Sequence, residues 1–200
     1  HTYSTDNKMI VDVNHDSVNA TIKNGKLISN VMEGSTADGV SMLVSNSSLK
    51  LESVEMTVND AGYGVVTNGK DANNTIVLEN STLNVKEGYG IYFPSSGSVT
   101  IENSTINAKY VGVQMCAGDL TIKGENTNIT VTSEPVAKTD NDGPIADGAA
   151  ISIVNRNGYK EIGTVAIEDG VFNSAEGVKA VKAYEYNNND KMENTWTGAG

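Results

Sequence analysis

Short stretches in which apolar and polar residues alternate recur along the whole chain. Leu49-Lys-Leu-Glu-Ser53 is echoed by Ile76-Val-Leu-Glu-Asn80 and Val99-Thr-Ile-Glu-Asn103. Ala20-Thr-Ile-Lys-Asn24 begins the series, and Leu120-Thr-Ile-Lys-Gly124 and Val165-Ala-Ile-Glu-Asp169 continue it. A period of two sends successive side chains to opposite faces of a strand, so Val99 and Ile101 face inward while Thr100 and Glu102 face out. Beyond the fifth residue the inward set resumes, with Met56 and Val58, Leu83 and Val85, and Ile106 and Ala108. That fifth residue is Asn24, Ser53, Asn80, Asn103, Gly124 or Asp169. Asn, Gly and Asp tolerate a left-handed backbone, which predicts one tight bend per unit at this column.

A second family of strands follows, each opened by a glycine: Gly39, Gly64, Gly90, Gly112, Gly148 and Gly177. Counted from that glycine, the inward positions are Val40, Val65, Ile91, Val113, Ala149 and Val178, then Met42, Thr67, Phe93, Met115, Ile151 and Ala180. Ser41, Val66, Tyr92, Gln114, Ala150 and Lys179 lie between them as an outward column. In the first family the third residues are Ile22, Leu51, Leu78, Ile101, Ile122 and Ile167, at intervals of 29, 27, 23, 21 and 45. Intervals of this size suit solenoid coils, and the longest requires an insertion or an extra coil. Two strand families joined by a bend at fixed phase, repeated six times, describe an all-β solenoid of about six coils. At about 4.8 Å per coil it forms a rod roughly 30 Å long.

The ends depart from the repeat. Residues 1–19 contain Met9-Ile-Val-Asp-Val13, an incomplete first coil or cap, and residues 20–183 hold the solenoid. Residues 184–200, with Asn187-Asn-Asn-Asp190 and Thr197-Gly-Ala-Gly200, read as a C-terminal extension or linker. Between Ser133 and Gly148 an inserted loop interrupts the coils.

Composition narrows the function. Of 200 residues, 25 are Asp or Glu and 14 are Lys or Arg, a formal net charge of −11, and Arg156 is the sole arginine. Nucleic-acid binding needs clustered cations, and anionic membranes repel this balance, so both are set aside. No apolar run reaches the roughly 20 residues that span a bilayer. The single cysteine, Cys116, excludes an internal disulfide framework. Starting at His1, the chain reads as a processed or excised piece of a longer protein, with no capping helix over its open strand edges.

The Leu-Glu-Asn-Ser-Thr type motif (Leu78 to Thr82, Ile101 to Thr105) and the Gly-Tyr-Gly-Ile-Tyr segment from Gly88 to Tyr92 resemble the right-handed parallel β-helix (pectate-lyase-like) superfamily. The likeness covers about residues 20 to 183. It implies a single-stranded right-handed β-helix, a fold used by polysaccharide lyases, galacturonan hydrolases and non-catalytic surface proteins of Gram-positive bacteria.

Catalytic constellations are the next test. Lyases of this superfamily resemble one another in an Asp cluster that holds calcium beside an Arg or Lys base. Here Arg156 sits in Asn155-Arg-Asn-Gly158, a turn, with no Asp column beside it. The Asn-Thr-Asp, Asp-Asp, Gly-His-Gly and Arg-Ile-Lys blocks of the hydrolases are absent. Glu79 and Glu102 are outward neighbours that could flank a sugar, but they belong to a repeated column that includes Lys23 and Lys123, which reads as solvated edge charge. A copper site at His1 would need a second His, and His15 is the one candidate. Cys116 reads as a small buried thiol.

Two groups of binding candidates remain. In the 133–148 loop, Asp140, Asp142 and Asp147 supply three carboxylates, and Asp142-Gly143 resembles the end of a calcium loop. Lys138 occupies the place of its first ligand, so a plain polar loop is the default and structural calcium the alternative. No other cofactor is expected, and Lys138 is carried as a ligand-binding candidate, since loops on a rigid scaffold tend to hold binding residues. Tyr63 and Tyr89 share a phase, Tyr110 falls one residue off it, and Tyr92 and Gln114 project from the following strands. Such a column could stack sugars or anchor a protein, although stiffening of the turns is the plainer reading.

The expectation is a non-catalytic binding module at the bacterial cell surface or outside the cell, adhesin-like, and a monomeric fragment of a longer protein. Its partner would be a host protein, such as immunoglobulin or mucin, or a glycan. The alternative is a carbohydrate-active β-helix that binds or cleaves acidic plant polysaccharide.

Overall fold

A computed structural model describes residues 1–6, 9–30, 40–60, 62–137, 143–187 and 190–193. The strands in chain order begin with β1 (Thr2–Asp6), β2 (Val11–Asn14) and the long β3 (Asn19–Asn30). Next come β4 (Val40–Ser45), the long β5 (Ser48–Val58) and β6 (Tyr63–Thr67). The third and fourth coils are β7 (Asn73–Glu79), β8 (Thr82–Val85) and β9 (Tyr89–Phe93), then β10 (Ser96–Glu102), β11 (Thr105–Ala108) and β12 (Val111–Met115). β13 (Gly118–Lys123), β14 (Asn128–Val131) and β15 (Ile151–Arg156) follow. The last coil is β16 (Ile162–Ile167), β17 (Val171–Asn173) and β18 (Val181–Asn187), with β19 (Asp190–Glu193) after it.

These strands stack in parallel, each on its counterpart one coil away. One sheet runs β16-β13-β10-β7-β5 along its first face and β5-β8-β11-β14-β17 along its second, with β3 and β1 completing it. The other sheet runs β19-β18-β15-β12-β9-β6-β4-β2. All described pairings are parallel except the closing β18–β19 hairpin. The chain is therefore an all-β parallel solenoid of about six coils.

The bend between the two faces of the large sheet falls where the repeat places it. Asn24, Ser53, Asn80 and Asn103 have φ of 55°, 56°, 49° and 45°, and Gly124 has 87°. In the last coil the left-handed residue is Gly170, φ 125°, one position beyond Asp169. β3 and β5 run through this bend unbroken. The inward alternation builds one continuous core, in which Leu51, Leu78, Ile101 and Ile122 stack in register and are fully buried or nearly so.

The smaller sheet corrects the expected register. Met42, not Val40, pairs with Val65; Ile151, not Ala149, pairs with Val113; and Val181, not Ala180, pairs with Ile151. Size decides this alignment. A Cβ on Gly90 would lie 2.2 Å from the Gly112 carbonyl oxygen and 2.8 Å from Ile106 Cγ2, and one on Gly112 would lie 2.3 Å from Ile129 Cγ2. By register, the same column holds Ser41, Gly64, Ala150 and Ala180, so it selects for small side chains and not for glycine as such. Gly148 and Gly177 serve turns instead, with φ of 76° and 74°, and Gly39 lies outside the described residues.

The long interval between Ile122 and Ile167 is an insertion, since the two residues pair directly. Residues 133–137 and 143–150 of the insertion form a strap, joined by a Val136 amide hydrogen bond to the Ala146 carbonyl, 2.8 Å. Residues 144–150 of this strap are buried. Tyr184 and Tyr186, expected in a linker, belong to β18 and are buried beneath it.

Candidate functional site

The outward side of the smaller sheet is the first place to look, because Tyr92 and Gln114 project there. In the observed register the column is Leu43, Val66, Tyr92, Gln114, Ser152 and Lys182. The strap lies over it and turns it into a second core of Tyr92, Cys116, Ile145, Val154, Tyr184 and Tyr186. Gln114 is fully buried: its Nε2 donates to the Ile145 carbonyl at 3.0 Å, and its Oε1 accepts from the Ile145 amide at 2.8 Å. A planar amide used in this way fastens the strap, and its full burial closes it to a ligand.

Arg156 ends in the same core. Its guanidinium donates to the Gly143 carbonyl at 2.7 Å and to the Tyr92 hydroxyl at 3.2 Å, and it packs against the rings of Tyr159 and Tyr186, 4.9 and 5.3 Å from their centroids. Such cation–π contacts strengthen away from water. Burial holds the Tyr92 hydroxyl protonated and pushes the Cys116 thiol up to about 12, against the opposing pull of Arg156. A thiol so placed has little thiolate for chemistry.

Asp147 is turned inward and fully buried. One carboxylate oxygen accepts from the Tyr184 hydroxyl at 2.7 Å and from Ser152 Oγ at 2.6 Å, and the other accepts from the Ala149 amide at 3.1 Å. Burial, then Asp147, raises the Tyr184 hydroxyl above its ordinary range. This carboxylate pins the end of the strap to the sheet. Lys138, Asp140 and Asp142 lie outside the described residues. Among the described residues, no three His, Cys, Asp or Glu side chains gather to hold a metal.

The tyrosine column forms as the spacing suggested. Tyr63 and Tyr89 stack with centroids 5.2 Å apart and planes at 20°, and Tyr110 joins at 5.3 Å and 43° despite its one-residue offset. Lys109 Nζ lies 5.3 Å from the Tyr110 centroid. The rings spend their faces on one another and on the lysine, so sugar stacking would have to displace these contacts. A Cβ on Gly143 would come within 3.6 Å of the Tyr63 hydroxyl, which places the strap beside this column.

The large sheet keeps its outward columns open. On its first face the column from Lys23 through Glu52, Glu79 and Glu102 to Lys123 is laced by ion pairs. Lys23 and Lys50 hold Glu52 at 2.9 and 3.1 Å, Lys50 holds Glu79 at 2.5 Å, and Lys123 holds Glu102 at 3.0 Å. Glu79 and Glu102 are thus committed to lysines. An open polar groove of about 530 Å³ lies by the bend at Asp16, Asn19, Asn46 and Ser48. There Asn46 donates to Asp16 at 3.0 Å and Ser48 to Asn19 at 2.6 Å.

The second face carries the column Thr57, Asn84, Asn107, Thr130 and Asn173. Asn107 Nδ2 donates to Asn84 Oδ1 at 2.7 Å and Asn173 Nδ2 to Thr130 Oγ1 at 3.3 Å. A groove of about 440 Å³ opens where this column meets the following turn, at Thr57, Asn84, Lys86, Asn107 and Thr132. No binding role is assigned to these residues by the repeat pattern, although the inward setting of Leu83, Val85, Ile106 and Ala108 already sends Asn84 and Asn107 outward.

Comparison with family models, with curated proteins and with solved structures found no match to this chain.

Proposed function

We propose that the chain is a non-catalytic recognition module, an adhesin-like segment of a bacterial cell-surface protein that engages a host protein, such as immunoglobulin or mucin, or a glycan. The observation that carries this reading is the state of its charged side chains. Glu79 and Glu102, the carboxylates nearest to a glycosidase pair, are each held by lysine, and Arg156 is buried under the strap against Tyr92. What the second face of the large sheet offers to solvent is a rigid array of amides and hydroxyls repeating once per coil, which suits binding with little ordering cost. The likeness of the repeats to β-helix surface proteins of Gram-positive bacteria supports the extracellular setting.

A pull-down from host mucosal secretions, run beside a glycan array with and without calcium, tests the proposal. Saturable capture of a host glycoprotein or glycan is the expected outcome. Calcium-dependent, saturable binding of acidic plant polysaccharide alone would replace it with the carbohydrate-active reading.

A further inference from the structure

We propose that the groove at Thr57, Asn84, Asn107, Lys86 and Thr132 binds a terminal sugar carrying one oxyanion group, a carboxylate or a sulfate. The proposal rests on the reading of the chain as a recognition module and names the ligand of one face.

The hydrogen-bonding inventory comes first. The Asn107–Asn84 bond uses one amide nitrogen and one amide oxygen. It leaves the Asn84 nitrogen and the Asn107 oxygen without a protein partner among the described residues, a donor and an acceptor on neighbouring coils. An amide flip would exchange the two roles and keep the pair. Adjacent hydroxyls of a sugar ring present the matching acceptor and donor. Thr57 and Thr132 add hydroxyls at the two ends of the groove.

Charge is the second observation. Lys23, Lys26, Lys50, Lys109, Lys123 and Lys160 each hold a carboxylate. Lys86 is exposed and has no ion-pair partner among the described residues, and no Asp or Glu lines its groove. Because Val85 pairs with Ala108, Lys86 neighbours Lys109 on the next coil, whose charge Glu87 balances, so Lys86 supplies the unbalanced ammonium. A chain with a net charge of −11 thus keeps a local cationic spot beside open amide groups. An ammonium with an amide donor is the arrangement that strengthens hydrogen bonds to an oxyanion.

Size and charge then select among anionic ligands. A groove of about 440 Å³ lies at the small end of ligand sites and suits one or two sugar rings. The column from Thr57 to Asn107 spans two coil spacings, about 10 Å. A polyuronate would bring a negative charge on every ring to a single unpaired ammonium on an acidic protein. An acidic peptide has a carboxylate but lacks the adjacent hydroxyls that the amide pair would bridge. A terminal sugar with one anionic group satisfies both features.

Titration of the 200-residue chain, followed by its backbone and Asn side-chain amide NMR signals, tests this. The probes are 3′-sialyllactose for a carboxylate, galactose 6-sulfate for a sulfate, and lactose, tetragalacturonate and a hexa-aspartate peptide as comparators. At least one monoanionic sugar should shift the Asn84 and Asn107 amide signals and bind about tenfold more tightly than lactose, and which one does so identifies the anionic group. Raising the salt should weaken it. Lys86→Met should reduce binding to the level of lactose while leaving the amide spectrum folded, and Lys86→Arg should restore most of it. The proposal is overturned if neither monoanionic sugar shifts these signals, if Lys86→Met binds as well as the parent, or if tetragalacturonate or the peptide binds more tightly. If the parent and Lys86→Met capture the same host ligand equally, this groove fails while the recognition reading stands. If the parent captures nothing from host secretions, the broader reading fails, whatever the sugars do here.

Discussion

Gln114 and Thr100 are both outward residues on strands of the same coil-by-coil alternation, yet one is fully buried and the other faces solvent in part. On the smaller sheet an insertion folds back, so the outward column of Tyr92, Gln114 and Ser152 becomes the floor of a second core. On the large sheet no segment among the described residues returns, and the outward columns remain ladders of paired charges, amides and hydroxyls. The contrast separates two meanings of "outward". Strand period decides which side of the sheet a residue occupies, and a distant loop decides whether that side is wet. Side chains that are polar for different reasons follow from this: Gln114 is polar to satisfy the strap backbone, whereas Asn84 and Asn107 are polar toward each other and water.

The largest effect should come from the frame that both faces share. Gly112→Ala would set a Cβ against Ile129 of the large sheet and 2.4 Å from the Ala150 carbonyl at the end of the strap. It should cost about 3 kcal/mol, read by urea denaturation, because overpacking against backbone relaxes poorly. A cost near zero would mean that the coils can slide apart at this column.

Next is the latch itself. Gln114→Ala leaves the Ile145 amide buried without its partner and the Ile145 carbonyl with the Asp147 amide alone, and should cost about 2 kcal/mol with faster hydrogen exchange at the Ile145 amide. Thr100→Ala, the matched change on the open sheet, should stay within about 0.5 kcal/mol. Equal costs would erase the distinction between the two sides.

pH offers a third contrast. The Cys116 thiol is raised from 9.0 to about 12 by burial, so its contribution is complete below pH 9 and is lost as pH rises toward 12. Stability should therefore decline above pH 9 by up to about 1.4 kcal/mol per pH unit for this group. Cys116→Ala should remove the decline between pH 9 and 10, leaving the part above 10 to buried tyrosines such as Tyr92 and Tyr184, both raised by burial. A profile unchanged by the substitution would show that the strap admits water to the thiol.

The smallest effect belongs to the charge ladder. Hydrogen bonds from Lys23 and then Lys50 hold Glu52 below the usual carboxylate range. Its contribution is present above the unfolded value of 4.5 and is lost as pH falls through the lower folded one. These groups are partly exposed on the wet face of the sheet, so Lys50→Gln should leave the melting temperature within error at physiological salt and lower it only at low ionic strength. A large change at physiological salt would make the ladder a structural element of the same weight as the strap.

Much of the frame was legible from the residues. The left-handed column was readable because Asn and Gly recur where L side chains pay for positive φ, and the inward rows were readable because Leu51, Leu78, Ile101 and Ile122 keep one phase. Legibility failed at the smaller sheet, where Gly148 and Gly177 look like members of the small-residue column but are turn glycines. The true members there are Ala150 and Ala180, set by the register of the strands that follow them. The candidate sites divided in the same way. The tyrosine stack follows from spacing, whereas the burial of Gln114 and Asp147 depends on contacts 31 and 37 residues away along the chain.

By itself the sequence determined a repeating, parallel, acidic all-β coil and the side of the strand on which the repeated residues of the large sheet lie. Those are local properties, carried by the period of two and by the backbone freedom of Asn and Gly. Tertiary structure alone decided that the strap folds back on the smaller sheet, that Arg156 and Asp147 are internal, and that an unpaired lysine and a pair of amides line one groove. Burial and pairing depend on which distant atoms arrive, and no local pattern encodes that arrival.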